Sequence, residues 1–194
     1  MATGTEFRGA TTGSRSEGTG AALEGDGGRV GPSLSTEQVW RAIAKGSFAI
    51  VGYTTPANDP RSSGVIYKVL GRRLFVAVAQ DSWKAKHMPA SGRVAVTVPV
   101  RRGGLLSLVA PIPPATISFH ATARVHTAGS AEVAPLLKEL APLLPKERRS
   151  DSCIIEIVPE GMFVTYGIGV SLKSMRDPDA ARGRVPVGRG AETR

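Results

Sequence analysis

The stretch that decides the fold is residues 65–78, which read VIYKVLGRRLFVAV. Two apolar segments, 65–70 and 74–78, flank Gly71-Arg72, a dipeptide typical of a tight turn. Two strand-like segments joined by so short a turn predict an antiparallel β-hairpin. The hairpin indicates a sheet built largely from strands that follow each other in the chain.

The segments around this hairpin extend the same pattern. Ser35 followed by Gln38 predicts a capping box, and Val39 and Ile43 form one apolar helical face before Gly46. Ser82 begins a short helix. The other predicted elements are strands over 48–54, 94–98, 115–127, 153–158 and 162–166, and a helix over 130–144. This order predicts a mainly β fold with a mostly antiparallel sheet, closed or nearly closed so that its edges are hidden.

Composition divides the chain into three parts. Residues 1–33 are rich in small and polar residues and predict a disordered N-terminal tail. The folded domain is expected over residues 34–172. Residues 173–194 form a basic C-terminal tail, and from residue 176 onward we expect it to lack structure as well.

Charge and cysteine content limit the classes of function. The net charge is +9, and most of the excess lies in residues 34–172, which favours anionic partners such as phosphates and nucleotides. Nucleic acid is a less favoured partner because only 5% of the residues are aromatic. A single cysteine, no secretory signal and no apolar run of membrane-spanning length predict a cytoplasmic protein without a membrane partner.

The residues that could carry chemistry lie in segment 61–87. Lys68 lies on the hairpin, and its partner strand leads to the helix that Ser82 begins, with Lys84 in the first turn. A helix start, a hydroxyl and two or three cations, from Lys68, Lys84 and Lys86, form a set that binds a phosphate monoester, and Arg61 lies in the same segment. The alternative is that these lysines are solvated surface charges, and spacing alone does not decide between the two.

The same region resembles the pyridoxamine 5′-phosphate oxidase-like family. The resemblance rests on segments 60–67, 74–78, 82–85 and 92–96, which read PRSSGVIY, LFVAV, SWKA and GRVAV in the family's order and spacing. It covers about a third of the chain, and the later strands are compatible with it. The family fold is a six-stranded antiparallel split β-barrel that binds FMN at the interface of a homodimer.

The resemblance implies a set of cofactor-binding residues and a redox function. Trp83 stands where the family has an arginine, so Arg61 or a residue of the partner chain is expected to supply the missing cation. No catalytic residue is assigned. No metal site is expected, because His120 and His126 have no third ligand at suitable spacing. The implied cofactor-binding residues are Arg61, Ser63, Val65, Ile66, Lys68, Val78, Ser82 and Lys84.

The expected function is that of a flavin-dependent oxidoreductase, in which a bound flavin exchanges hydride with a small organic substrate. FMN is the favoured cofactor, and the deazaflavin F420 is the alternative within the same fold. A second alternative is a protein that binds flavin or haem without turnover. The family's C-terminal Arg-Leu-His element is absent, which argues against pyridoxamine phosphate as the substrate.

Overall fold

The computed structural model describes residues 34–102, 114–127, 130, 133–143 and 151–188. Three expectations lie wholly or partly outside the described residues: the N-terminal tail 1–33, parts of the helix predicted over 130–144, and the end of the C-terminal tail over 189–194. No helix within the described ranges is both long enough and apolar enough to cross a membrane.

The described residues form four α-helices and eight β-strands. The helices are α1 (Thr36–Lys45), α2 (Trp83–Ser91), α3 (Val133–Leu140) and α4 (Pro178–Ala181), with short 3₁₀ turns at Ala141–Leu143 and Ser174–Arg176. The strands are β1 (Phe48–Thr54), β2 (Pro60–Ile66), β3 (Lys68–Leu70), β4 (Arg73–Ala79), β5 (Arg93–Val100), β6 (Ala115–His126), β7 (Ser152–Tyr166) and β8 (Arg182–Pro186).

All strands belong to one antiparallel sheet. The order of hydrogen-bonded neighbours is β2-β1-β5-β6-β7-β4-β3. β6 pairs along one edge of β7, whereas the other edge pairs with β4 over residues 152–157 and with β8 over residues 162–166. The sheet curls until β2 and β4 lie close together, although no ladder of hydrogen bonds joins them. The expected fold class, a mainly β antiparallel split barrel with short helices, is confirmed, but the described residues form eight strands and not the six that the family resemblance implied.

The interior of the curled sheet is the main hydrophobic core, and α1 closes one end of it. Val39 and Ile43 of α1 are completely buried against strand residues such as Val51. The predicted capping box is present: the Gln38 N–H donates to the Ser35 hydroxyl, and the Ser35 N–H donates to Oε1 of Gln38. The cap at Ser35 explains why α1 begins at Thr36.

The hairpin of residues 65–78 is formed, but its first arm is two strands. Gly71 and Arg72 have φ of 56° and 60°, the left-handed values that a tight hairpin turn requires at both positions. The prediction of one strand over 65–70 is wrong, because β2 pairs with β1 whereas β3 pairs with β4. Tyr67 lies at the break and donates its hydroxyl to the carbonyl of Ile43 at 2.6 Å, and burial raises the pKa of Tyr67 to about 12.

The two closing strands predicted over 153–158 and 162–166 are a single strand, β7. The sequence between them contains Pro159 and Gly161, which suggested a turn. Gly161 has a φ of 68°, and the pairing with β6 shifts register between Ser118 and His120. A bulge therefore absorbs the irregular residues, and the strand continues.

The expectation that the chain lacks structure from residue 176 onward is wrong for residues 176–188. β8 pairs with β7 from Arg182 to Pro186, and Val185 and Val187 are buried in the main core. The folded part therefore extends past residue 172. Residues 176–188 are few and include three arginines, so the apolar positions among them show no clear periodicity in the sequence.

Candidate functional site

The split between β2 and β4 contains a cavity of about 260 Å³. Lys84 and Leu140 reach it from α2 and α3, and the strands supply the remaining walls. The described lining residues are Gly64, Val65, Ile66, Val76, Ala77, Val78, Lys84 and Leu140. The walls are thus apolar side chains and strand backbone, with one cation at the boundary.

The strand edges at this cavity have free hydrogen-bonding capacity. Among the described strands, β2 pairs only with β1, and β4 pairs with β3 only as far as Phe75. Beyond Phe75, β4 is bonded to β7 on one side and faces the cavity on the other. Unpaired strand edges present alternating N–H and C=O groups, so the cavity can bind the polar rim of a planar ligand.

Lys84 is the cation of the cavity, and α2 places it there. The Ser82 hydroxyl accepts a hydrogen bond from the Ala85 N–H at 3.3 Å and begins the helix. Lys84 then donates from Nζ to the carbonyl oxygen of Gly64 at 2.9 Å. The first turn of α2 carries two lysines and no acid, so the helix dipole and the lysines repel each other, and a bound anion would relieve this repulsion.

Lys68 is not among the lining residues and is bound elsewhere. Its Nζ donates to Oε2 of Glu139 at 2.6 Å and to the Glu139 backbone carbonyl at 3.2 Å. The hydrogen bond and charge of Lys68 hold the pKa of the Glu139 carboxyl below its usual value. Lys68 comes two positions after Ile66, and Glu139 comes directly before Leu140. Because Ile66 and Leu140 both line the cavity, this ion pair lies beside it.

The remaining predicted residues lie around the cavity rather than in its wall. The register of β2 places Arg61, Ser63 and Val65 on the face of the sheet that contacts the core. Arg61 is exposed at the far end of the strand, and the Ser63 hydroxyl lies 3.3 Å from the hydroxyl of Tyr53. The Ser82 hydroxyl is used as the helix cap.

The structure therefore brings together Val65, Ile66, Val78 and Lys84 around one cavity, and it places Arg61, Ser63, Lys68 and Ser82 outside the lining. That these residues bind a cofactor stays a prediction. Sequence reasoning missed four lining residues: Gly64, Val76, Ala77 and Leu140. Gly64 directly precedes the predicted residue Val65, and Val76 lies on the same strand as the predicted residue Val78. Nothing in the sequence indicated that Leu140 reaches the cavity.

A second cluster of charged residues lies on β4, β6 and β7, and none of its members lines the cavity. Glu156 of β7 is almost fully buried, and its two carboxylate oxygens accept from Arg73 at 2.7 Å and from His126 at 2.8 Å. Burial raises the pKa of Glu156, but the hydrogen bonds and charges of His126 and Arg73 outweigh it and hold the pKa below the usual value. This cluster joins β4, β6 and β7 and has a structural role.

A larger open cleft of about 1270 Å³ lies between α1 and the end of β5. Its described lining includes Arg41, Lys45, Arg101 and Arg102, but none of the predicted site residues. Residues 103–113, which follow Arg101 and Arg102 in the chain, lie outside the described residues. We therefore place the candidate site in the split. Within the described ranges, no group of three or more metal-ligating side chains occurs.

The sequence matches no protein-family model and no curated protein. Solved structures share its fold. A haem-binding protein from Mycobacterium smegmatis is 14% identical with a TM-score of 0.58, and the match covers 81% of this chain. This chain spans only 60% of the length of that protein.

Two further structures extend the comparison. The haem storage protein HutZ from Vibrio cholerae is 13% identical with a TM-score of 0.56, and the match covers 70% of this chain and 98% of HutZ. A putative pyridoxamine 5′-phosphate oxidase from Listeria innocua is 13% identical with a TM-score of 0.48 over 64% of this chain and 93% of that chain. At such identities, the structures with the higher TM-scores show a common fold, and the split barrel expected from the sequence is the fold of this chain.

Proposed function

We propose that this protein binds a flavin, FMN in preference to F420, in the cavity of the split, and that it is an oxidoreductase acting on a small organic substrate. The observation that carries the proposal is the composition of this cavity. It combines apolar walls, unpaired strand edges and one lysine at the start of a helix. A flavin has the matching parts: a planar ring with a polar rim, and a phosphate.

The residues of the cavity would divide the binding between them. Val65, Ile66 and Val78 offer apolar contact to a ring and exclude water from it. Lys84 has three N–H donors, so it can keep its bond to Gly64 and still donate to a phosphate oxygen. A bound flavin supplies the hydride chemistry itself, so no acid or base of the protein is strictly required.

We also propose that the protein acts as a homodimer whose second copy completes the site. A cavity of about 260 Å³ is slightly smaller than the ~300–1,000 Å³ of usual ligand pockets. Five large apolar side chains are exposed on the outer face of the sheet, each between 41% and 53%: Phe48, Ile50, Ile66, Met162 and Val164. Phe48 opposes Ile66, and residues 50, 97, 118 and 164 form one row across four strands, so this is a contiguous surface next to the cavity.

The dimer has a direct test. Ile50→Lys introduces a charge on the outer face without touching the core, because Ile50 is 44% exposed. We expect light scattering after gel filtration to give a dimer mass for the wild type and a monomer mass for this variant, with weaker FMN binding. Ala44→Lys on the exposed side of α1 is the matched control and should stay dimeric. A monomeric wild type would contradict the proposal.

Haem is the alternative ligand, but the cavity offers it little. None of the described lining residues carries an imidazole, thiol or thioether that could bind iron axially.

The buried, unpaired thiol of Cys153 accords with a reducing compartment, and a cytoplasmic location therefore remains part of the proposal.

The absorbance spectrum of the purified protein, repeated after addition of FMN, F420 or haem, tests the function. We expect a flavin spectrum and saturable binding of FMN that is tighter than that of F420. Anaerobic loss of the flavin band on addition of a hydride donor, and its return with an acceptor, would support an oxidoreductase. A protein that binds neither flavin but gives a haem band would overturn the proposal in favour of haem binding.

A further inference from the structure

The boundary of the candidate cavity contains one acidic side chain whose position the proposed function does not use. Glu139 lies on the last turn of α3, directly before Leu140, which lines the cavity and is 1% exposed. Its carboxylate is bound to Lys68 of β3, which comes two residues after the lining residue Ile66. Both members of the ion pair therefore lie within two positions of residues that line the cavity.

The contact is not a buried structural ion pair. The side chains of Lys68 and Glu139 are 39% and 54% exposed, so water reaches both groups. Exposed ion pairs stabilise a fold by little, and they exchange partners readily. By contrast, α3 is held to the sheet by apolar packing of Val133 and Leu140 against Phe75 and Ile154. The helix does not depend on the ion pair for its position.

The charges around the cavity are consequently uneven. Among the described residues, Lys84 donates only to a backbone carbonyl, whereas Lys68 is paired with the carboxylate of Glu139. A phosphate entering the cavity would be attracted by both lysines and repelled by the carboxylate. A phosphate dianion competes for a lysine more strongly than a single carboxylate does, because it carries more charge.

We propose that Glu139 determines the affinity of the site for phosphate-bearing ligands by competing for Lys68. An anionic ligand that binds Lys68 competes there with the Glu139 carboxylate, whereas a ligand without a phosphate meets no such competition. Glu139 thus lowers the affinity for a phosphorylated flavin and leaves that for an unphosphorylated one unchanged. This inference rests on the proposed flavin site.

The test compares FMN with riboflavin, which has the same ring and no phosphate, in three proteins. These are the wild type, Glu139→Gln, and Glu37→Gln as the matched control, since Glu37 forms a similarly exposed ion pair with Arg72 and neither residue lines the cavity. Affinities are measured by quenching of flavin fluorescence, and thermal melts confirm that each protein is folded.

We expect Glu139→Gln to bind FMN about two- to fivefold more tightly, the range that an exposed ion pair represents. Its riboflavin affinity and both affinities of Glu37→Gln should equal those of the wild type. FMN binding that is unchanged or weaker in Glu139→Gln would overturn the inference, and the weaker result would mean that the ion pair holds the site together. Absence of flavin binding in all three proteins would instead contradict the proposed function, and with it the inference.

Discussion

Lys84 lies 2.9 Å from the carbonyl oxygen of Gly64, and this contact joins the first turn of α2 to the free edge of β2. The lysine is thereby fixed at the cavity before any ligand arrives. We expect Lys84→Met to weaken FMN binding about ten- to a hundredfold, because a hydrogen bond to a charged group contributes about 1.5–3 kcal/mol. Fluorescence titration with FMN measures this loss.

The control for this variant is Lys86→Met. Lys86 belongs to the same helix but is exposed and does not line the cavity. Its replacement should leave the affinity within twofold of the wild type. Equal losses in the two variants would mean that the lysines attract FMN only through the general charge of the protein.

Glu156→Gln should destabilise the fold by about 1–3 kcal/mol at neutral pH, because the buried carboxylate loses its charge while Arg73 and His126 remain beside it. Urea denaturation gives the free energy of unfolding. Glu37→Gln, which breaks an exposed ion pair, is the control and should cost less than about 1 kcal/mol.

The contribution of Glu156 should also depend on pH. Its pKa in the folded protein lies below its ordinary value of 4.5, so folding is favoured wherever the carboxylate is ionised. This stability is fully present above the ordinary value and is lost as the pH falls through the folded pKa. The difference in unfolding free energy between wild type and Glu156→Gln should therefore shrink on acidification below 4.5, and a constant difference would contradict this account.

Thr165→Val should stabilise the protein by about 1 kcal/mol. The hydroxyl of Thr165 is buried and has no hydrogen-bond partner within the described residues, and replacing an unsatisfied hydroxyl by a methyl group of the same size removes a desolvation cost. Thr97→Val is the control, because the Thr97 hydroxyl lies 3.1 Å from that of Ser118 and its loss should destabilise the fold. Denaturation midpoints compare the two, and a destabilised Thr165→Val would mean that water satisfies this hydroxyl.

The sequence predicted the fold well where local signals and packing agree. The hairpin turn at Gly71-Arg72, the capping box of Ser35 and the helix start at Ser82 are each set by residues within a few positions, and all three are present. The prediction of two closing strands failed at Gly161, because the bulge that keeps β7 continuous depends on its partner β6 and not on local sequence.

The candidate site was predictable only in part, for a related reason. Val65, Ile66, Val78 and Lys84 lie within one short segment, and pairing of its strands suffices to place them together. Leu140 is 56 residues or more away in the chain and reaches the cavity only because α3 packs on Phe75 and Ile154. The ion pair between Lys68 and Glu139 depends on the same packing of α3, so the spacing of residues in the sequence does not predict it.

The C-terminal strand provides the last prediction, since the sequence suggested that the folded domain ends at residue 172. Val185 and Val187 are buried in the main core, and the backbone carbonyls of Pro186 and Val187 accept from Thr36 and from the indole of Trp40. Burial of two valines contributes about 3–6 kcal/mol and the two hydrogen bonds about 1–3 kcal/mol. A chain that ends at residue 172 should therefore lose about 4–9 kcal/mol, which is most of the stability of an ordinary domain.

A chain that ends at residue 188 is the matched control, since it removes only residues beyond the described strand and should unfold at the wild-type temperature. Because the shorter chain is expected to be largely unfolded, Val185→Ala gives a measurable intermediate case. It should destabilise the protein by about 1–3 kcal/mol, through lost burial and the space left in the core. If the chain ending at 172 melts cooperatively near the wild-type temperature, then β8 is an accessory strand and the domain closes without it.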